Sequence, residues 1–72
     1  MKKKKFYLTI ECYEYQNGQR VGTEKCYATT SYLYSVTTNI KEAKIFTEYM
    51  ANKLLSNPLN KGWKKEEVIE GE

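Results

Sequence analysis

Apolar and polar positions alternate from Phe6 onward, with Phe6, Leu8, Ile10 and Cys12 on one parity and Tyr7, Thr9, Glu11 and Tyr13 on the other. A period of two in β-forming residue types predicts a strand over residues 6–15 with one face on a core. Asn17-Gly18 and Gly22 then supply turn chemistry, because Asn and Gly tolerate positive φ. A second strand is predicted from about Val21 to Thr30, continuing after a bend at Thr29-Thr30-Ser31 through Tyr32-Leu33-Tyr34-Ser35-Val36. A turn centred on Gln19, longer than a tight two-residue one, sets Cys12 opposite Cys26, Ile10 opposite Ala28, Leu8 opposite Thr30 and Phe6 opposite Tyr32. On the other face Tyr13 meets Lys25 and Glu11 meets Tyr27. This register gathers the apolar side chains on one side, and a slip of one residue scatters them.

The period changes after Thr38. Ala43, Phe46, Met50 and Leu54 recur at three- and four-residue steps and predict a helix over 39–56. Asn39 and Glu42 fit a capping box at its start, and Asn57-Pro58 ends it. A second reading stands beside the first: Lys44-Ile45-Phe46 is a short strand, and Thr47 caps a shorter helix from Glu48 to Ser56. The segment Gly62 to Ile69 reads as a last strand, with Trp63 and Ile69 on one face. The expected fold is α+β: an antiparallel hairpin or three-stranded meander, one packed helix and a C-terminal strand, ββ(β)αβ. Residues 1–5 form a basic tail, 6–69 a single domain and 70–72 a frayed acidic end.

Composition narrows the chemistry more than it names it. A chain of 72 residues is one domain with a small core. With 40% hydrophobic and 14% aromatic residues it can still build that core. No apolar run approaches the roughly 20 residues of a membrane helix, and the run after Lys2 to Lys5 breaks at Glu11. A cytoplasmic setting is therefore expected. The chain has no His and no Asp, which excludes Ser-His-Asp and Cys-His nucleophiles, the usual zinc ligands and Asp-rich calcium loops. Glycines at 18, 22, 62 and 71 match no phosphate-loop spacing. Cys12 and Cys26 are expected as reduced thiols of the core face, because two thiolates without His leave a zinc site incomplete. No cofactor, metal or catalytic residue is expected.

The net charge of +3 sits in the N-terminal tail, since residues 1–36 carry six basic and three acidic groups and residues 37–72 carry six of each. Glu14 and Glu24 would face each other near the turn, as a solvated pair rather than a catalytic one, because an open sheet offers no pocket to raise a carboxyl pKa. Glu66, Glu67, Glu70 and Glu72 make an acidic end that Lys64 and Lys65 dilute. The candidate site is the sheet face opposite the core. It gathers Tyr7, Tyr13, Tyr15 and Tyr27, with Lys25 among them and Arg20 near the turn. Exposed tyrosines give large contact area at small entropic cost, so Tyr13, Tyr15, Arg20, Lys25 and Tyr27 are the expected protein-binding residues.

A β-hairpin, then KEAKIFTEYMANKLL over residues 41–55, then a Trp-containing charged strand resembles small proteins of bacteriophages and mobile elements. Eleven Lys to one Arg, with abundant Tyr, Asn and Ile, resembles the usage of an AT-rich genome. The resemblance is one of layout over residues 6–69, without a diagnostic motif. It implies a non-enzymatic inhibitor that occupies a functional surface of a host protein, with defence enzymes such as CRISPR effectors as examples. Two alternatives come from other classes: a nucleic-acid binder using the basic N-terminus and the tyrosine face, and an oligomeric sponge stacking a nucleotide signal between tyrosines. A homodimer is a further expectation for the tyrosine face.

Overall fold

The computed structural model describes residues 3–69. The α+β class and the C-terminal strand are as expected. β1 (Lys5–Gln16) pairs antiparallel with β2 (Gln19–Ala28), and two short strands, β3 (Val36–Thr37) and β4 (Phe46–Thr47), precede helix α1 (Glu48–Leu55) and strand β5 (Lys64–Glu67). β1 is the spine. Phe6 pairs with both Phe46 and Glu67, and Thr9 with both Tyr27 and Lys64. A strand has only two edges, so β5 occupies one of them, and β2 and β4 follow each other along the other.

The hairpin register differs from the expected one. Ile10 pairs with Cys26, Cys12 with Glu24 and Tyr13 with Thr23. Glu11 meets Lys25 and Thr9 meets Tyr27. Two local features set this. Asn17 and Gly18 both adopt positive φ, 53° and 79°, which makes a tight two-residue turn. Glu14 then pairs with Gly22 but Tyr15 with Arg20, so Val21 is an extra, bulged residue. The faces survive the correction, because each partner moves by two positions. The thiols of Cys12 and Cys26 become diagonal neighbours and both are free. Glu14 and Glu24 do not oppose each other.

The long helix gives way to the shorter one, which ends at Leu55, and the short strand before it is Phe46–Thr47 rather than Lys44-Ile45-Phe46. Asn39 caps only a single 3-10 turn, Ile40–Glu42, through its Oδ1, which accepts from the Lys41 backbone amide at 3.0 Å. Phe46 is drawn into the sheet opposite Phe6, and Thr47 becomes the helix N-cap, its hydroxyl accepting from the Met50 amide at 3.2 Å. The core lies between the even face of β1 and α1. Phe6, Leu8, Ala28, Phe46 and Ala51 are buried there, with Leu33, Met50, Leu54, Leu55 and Trp63 packed around them. The last strand is shorter than the expected Gly62 to Ile69: Trp63 precedes it and packs on the core, whereas Ile69 follows it and is exposed, so the two do not share a strand face. β2 stops at Ala28, where the Thr29 amide turns to the Ser35 carbonyl at 3.0 Å, and the expected strand through 32–36 shrinks to β3.

Lys5, expected in the tail, is the first residue of β1. The acidic end at 70–72 and Lys2 lie outside the described residues. Among the described residues no helix is long and apolar enough to cross a membrane.

Candidate functional site

β1 and β2 are longer than the core beneath them. α1 and β5 cover β1 only from Lys5 to about Ile10, and β3 reaches only Tyr27 and Ala28 of β2. Beyond that the hairpin runs on as a two-stranded arm, residues 11–24, on which every residue but Cys12 and Gly22 is exposed. The molecule measures 50 × 32 × 16 Å and its radius of gyration is 13.3 Å. A compact chain of this length has about 11 Å, so the arm is visible in the overall dimensions.

The expected site residues fall into two groups. Tyr13 and Tyr15 stand on the arm, 57% and 61% exposed. The bulge at Val21 swings Arg20 to their face, where its guanidinium carbon lies 4.7 Å from the Tyr13 ring centroid. That contact holds a cation over an aromatic ring in open solvent and contributes about 0.5–1 kcal/mol. These three residues form one cluster at the tip.

Lys25 and Tyr27 belong to the base instead. Tyr27 is buried, contrary to the expectation of an open face along the whole hairpin. The Tyr7 ring packs edge-on against it at 5.5 Å between centroids, and the Lys25 ammonium sits 5.4 Å above it. β3 closes its flank by pairing Thr37 to it. Lys25 also donates to Glu66 Oε1 at 2.7 Å, bridging β2 to β5 across β1. Hydrogen bonds to Glu66 and then to Tyr27 raise its pKa above the usual lysine value. Lys25 is thus a clasp over Tyr27. Glu66 and Glu67 point to opposite faces and pair with Lys25 and Lys4, so they form no acidic stripe.

A second exposed surface was not among the expected residues. A groove of about 480 Å³ on the helix side is bordered by Tyr32, Tyr34, Leu54, Leu59 and Trp63. Tyr34 and Leu59 are 84% and 90% exposed, and the Tyr32 and Tyr34 rings lie 5.9 Å apart. The signal was the Tyr-Leu-Tyr run, which reads as strand by type but lies in a bend.

Burial pushes the Cys26 thiol up to about 11, with its neighbour Cys12 adding to the shift, which keeps the thiol protonated at neutral pH. Among the described residues no group of three or more His, Cys, Asp or Glu is placed to hold a metal ion. No family model, curated protein or solved structure matches the chain.

Proposed function

We propose that the chain is a non-enzymatic protein-binding module that engages its partner with the hairpin arm. The observation that carries this reading is the arm itself. A ribbon with both faces in solvent contributes little to the core, yet its tip holds two exposed tyrosines and an arginine stacked over one of them, residue types that anchor interfaces. The layout resemblance to bacteriophage proteins makes a host protein the partner class, and inhibition by occupying its working surface the mode of action.

The nucleic-acid alternative needs the basic N-terminus and the tyrosines on one surface. Lys5 and Tyr15 are ten strand steps apart on β1, about 34 Å at roughly 3.4 Å per residue. Lys5 and the tip tyrosines therefore stand far apart along the strand. For a sponge that stacks a nucleotide between tyrosines of neighbouring subunits, the buried Tyr27 is not an open stacking face.

The test is capture from source-cell lysate by tagged protein, with and without nuclease, comparing wild type with Tyr13→Ala/Tyr15→Ala. Tyr27 is unsuited to this test because its removal opens a buried contact. A stoichiometric protein that survives nuclease and is lost with the double variant, at an unchanged circular dichroism spectrum, supports the reading. Retention by the double variant, or recovery of nucleic acid alone, overturns it.

A further inference from the structure

The arm has free edges as well as free faces. β5 covers β1 only as far as Thr9, where it begins at Lys64. The chain before it, through Gly62 and Trp63, turns away to the core. Among the described residues nothing pairs with that edge of β1 from Ile10 to Gln16. A cleft of about 710 Å³ opens at this point, bordered by Ile10, Glu11, Gly62, Lys64 and Lys65 among others.

The pairing fixes which backbone groups are free. The Val68 amide donates to the Lys5 carbonyl at 2.8 Å. In an antiparallel ladder the N–H and C=O of alternate residues point to the same edge. Lys5, Tyr7 and Thr9 therefore address β5, and the next odd residues, Glu11, Tyr13 and Tyr15, present their N–H and C=O groups to the vacant edge. The even residues Ile10, Cys12 and Glu14 address β2. Three consecutive ladder positions thus stand open in line with β5.

We propose that this edge receives an extended, basic segment of the partner, which adds to the sheet as a strand continuing the track of β5. The inference rests on the protein-binding reading and names its mode. Open edge strands template such pairing, with main-chain hydrogen bonds supplying affinity and alternate side chains specificity. Charge selects the occupant. The free stretch of β1 carries Glu11 and Glu14 and no basic residue, and neither carboxylate is in an ion pair; of the lysines that border the cleft, Lys25 is engaged by Glu66 and Lys65 by Asn52, and Lys64 stands at the β5 end. A lysine- or arginine-bearing strand neutralises them. A second copy pairing through the same edge gathers four carboxylates on one short ribbon with no cation from residues 10–16 of either strand, which disfavours it wherever the carboxylates become cross-strand neighbours.

The test uses isotope-labelled full-length protein and a capped seven-residue peptide, KTVKVTK, with ETVEVTE as control, followed by amide hydrogen exchange. In the free protein the Glu11, Tyr13 and Tyr15 amides exchange fast and those of Ile10, Cys12 and Glu14 more slowly. The lysine peptide is expected to slow the three odd amides selectively, and the glutamate peptide to leave them unchanged. Glu11→Gln/Glu14→Gln, which leaves the ladder intact, is expected to weaken the lysine peptide about threefold to tenfold, as for two exposed ion pairs. Binding that leaves the three odd amides exchanging fast overturns strand addition, as does equal affinity for both peptides. If Tyr13→Ala/Tyr15→Ala still abolishes partner capture in that event, the protein-binding reading survives the loss of this one. Protection that appears with protein concentration alone, without peptide, assigns the edge to a second copy and also overturns the proposal.

Discussion

The same two strands lead different lives at their two ends. At the base, Phe6, Leu8 and Ala28 lie under α1 on one face, while Thr9 and Tyr27 are buried beneath Tyr7 and the Lys25–Glu66 clasp on the other. At the tip, the alternation continues through Glu11, Cys12, Tyr13 and Glu14, but neither face has anything to alternate against. Period two therefore marks where a strand is, not how much of it is covered. The base holds the fold, and the tip is held out from it. Isolated hairpins are marginal in water, so the arm depends on the base for its order.

The sharpest way to break that contrast is to excavate the base and shave the tip in parallel. Leu8 is fully buried between Phe6, Ala28, Phe46 and Ala51. Leu8→Ala removes buried methyl groups and leaves a cavity, so it is expected to destabilise the protein by about 2–5 kcal/mol. Val21, the bulged residue, is 54% exposed, and Val21→Ala is expected to change stability by no more than about 0.5 kcal/mol. Urea unfolding of the two variants checks the pair. Comparable losses would mean that the arm carries part of the core's work.

A second effect, also confined to the base, comes from pH. Cys26 is buried and its thiol titrates at about 11, above the ordinary 9.0. A group whose pKa is raised in the folded state binds its proton more tightly there than in the unfolded chain. Its stabilisation is fully present below pH 9 and is lost as pH rises from 9 to 11, by an amount on the order of 2 kcal/mol. Thermal melts of wild type and Cys26→Ala across that window test the assignment. The variant is expected to be less stable at neutral pH and to lose the extra alkaline slope. An unchanged slope would place the titrating group elsewhere.

Much of the base was legible in the sequence because parity is robust. A turn centred on Gln19 misplaces each partner by two positions and still names the right faces. What hid the register was the tight turn at Asn17-Gly18, which alone would move each partner by three positions and exchange the faces; the bulge at Val21, which leaves no mark in a hydrophobic pattern, returns one position and restores the parity. The choice between helix and strand at Lys44-Ile45-Phe46 was illegible for a related reason. Phe46 suits a helical stripe, and only its pairing with Phe6, forty residues away, draws it into the sheet. The site was half legible. Tyr13, Tyr15 and Arg20 do form a cluster, but the burial of Tyr27 depends on β3, a two-residue strand too short to read.

The finest probe acts on the arm alone. Gly18 adopts φ 79° in the turn, and a Cβ built there meets nothing within 4 Å. Gly18→Ala therefore meets no neighbour across the turn, but it strains the chain locally, because a Cβ at this φ crowds the adjacent carbonyl. A left-handed backbone at a residue with a Cβ costs roughly 1–2 kcal/mol. If the arm opens separately from the base, that cost falls on the arm. Exchange of the Cys12, Glu14 and Gly22 amides is then expected to quicken about fivefold to thirtyfold, while Leu8 and Cys26 exchange as before. Equal acceleration at both ends would mean that tip and base open as one cooperative unit. The arm would then be an extension of the core, and its ordered tyrosines would owe their placement to the whole sheet rather than to the turn.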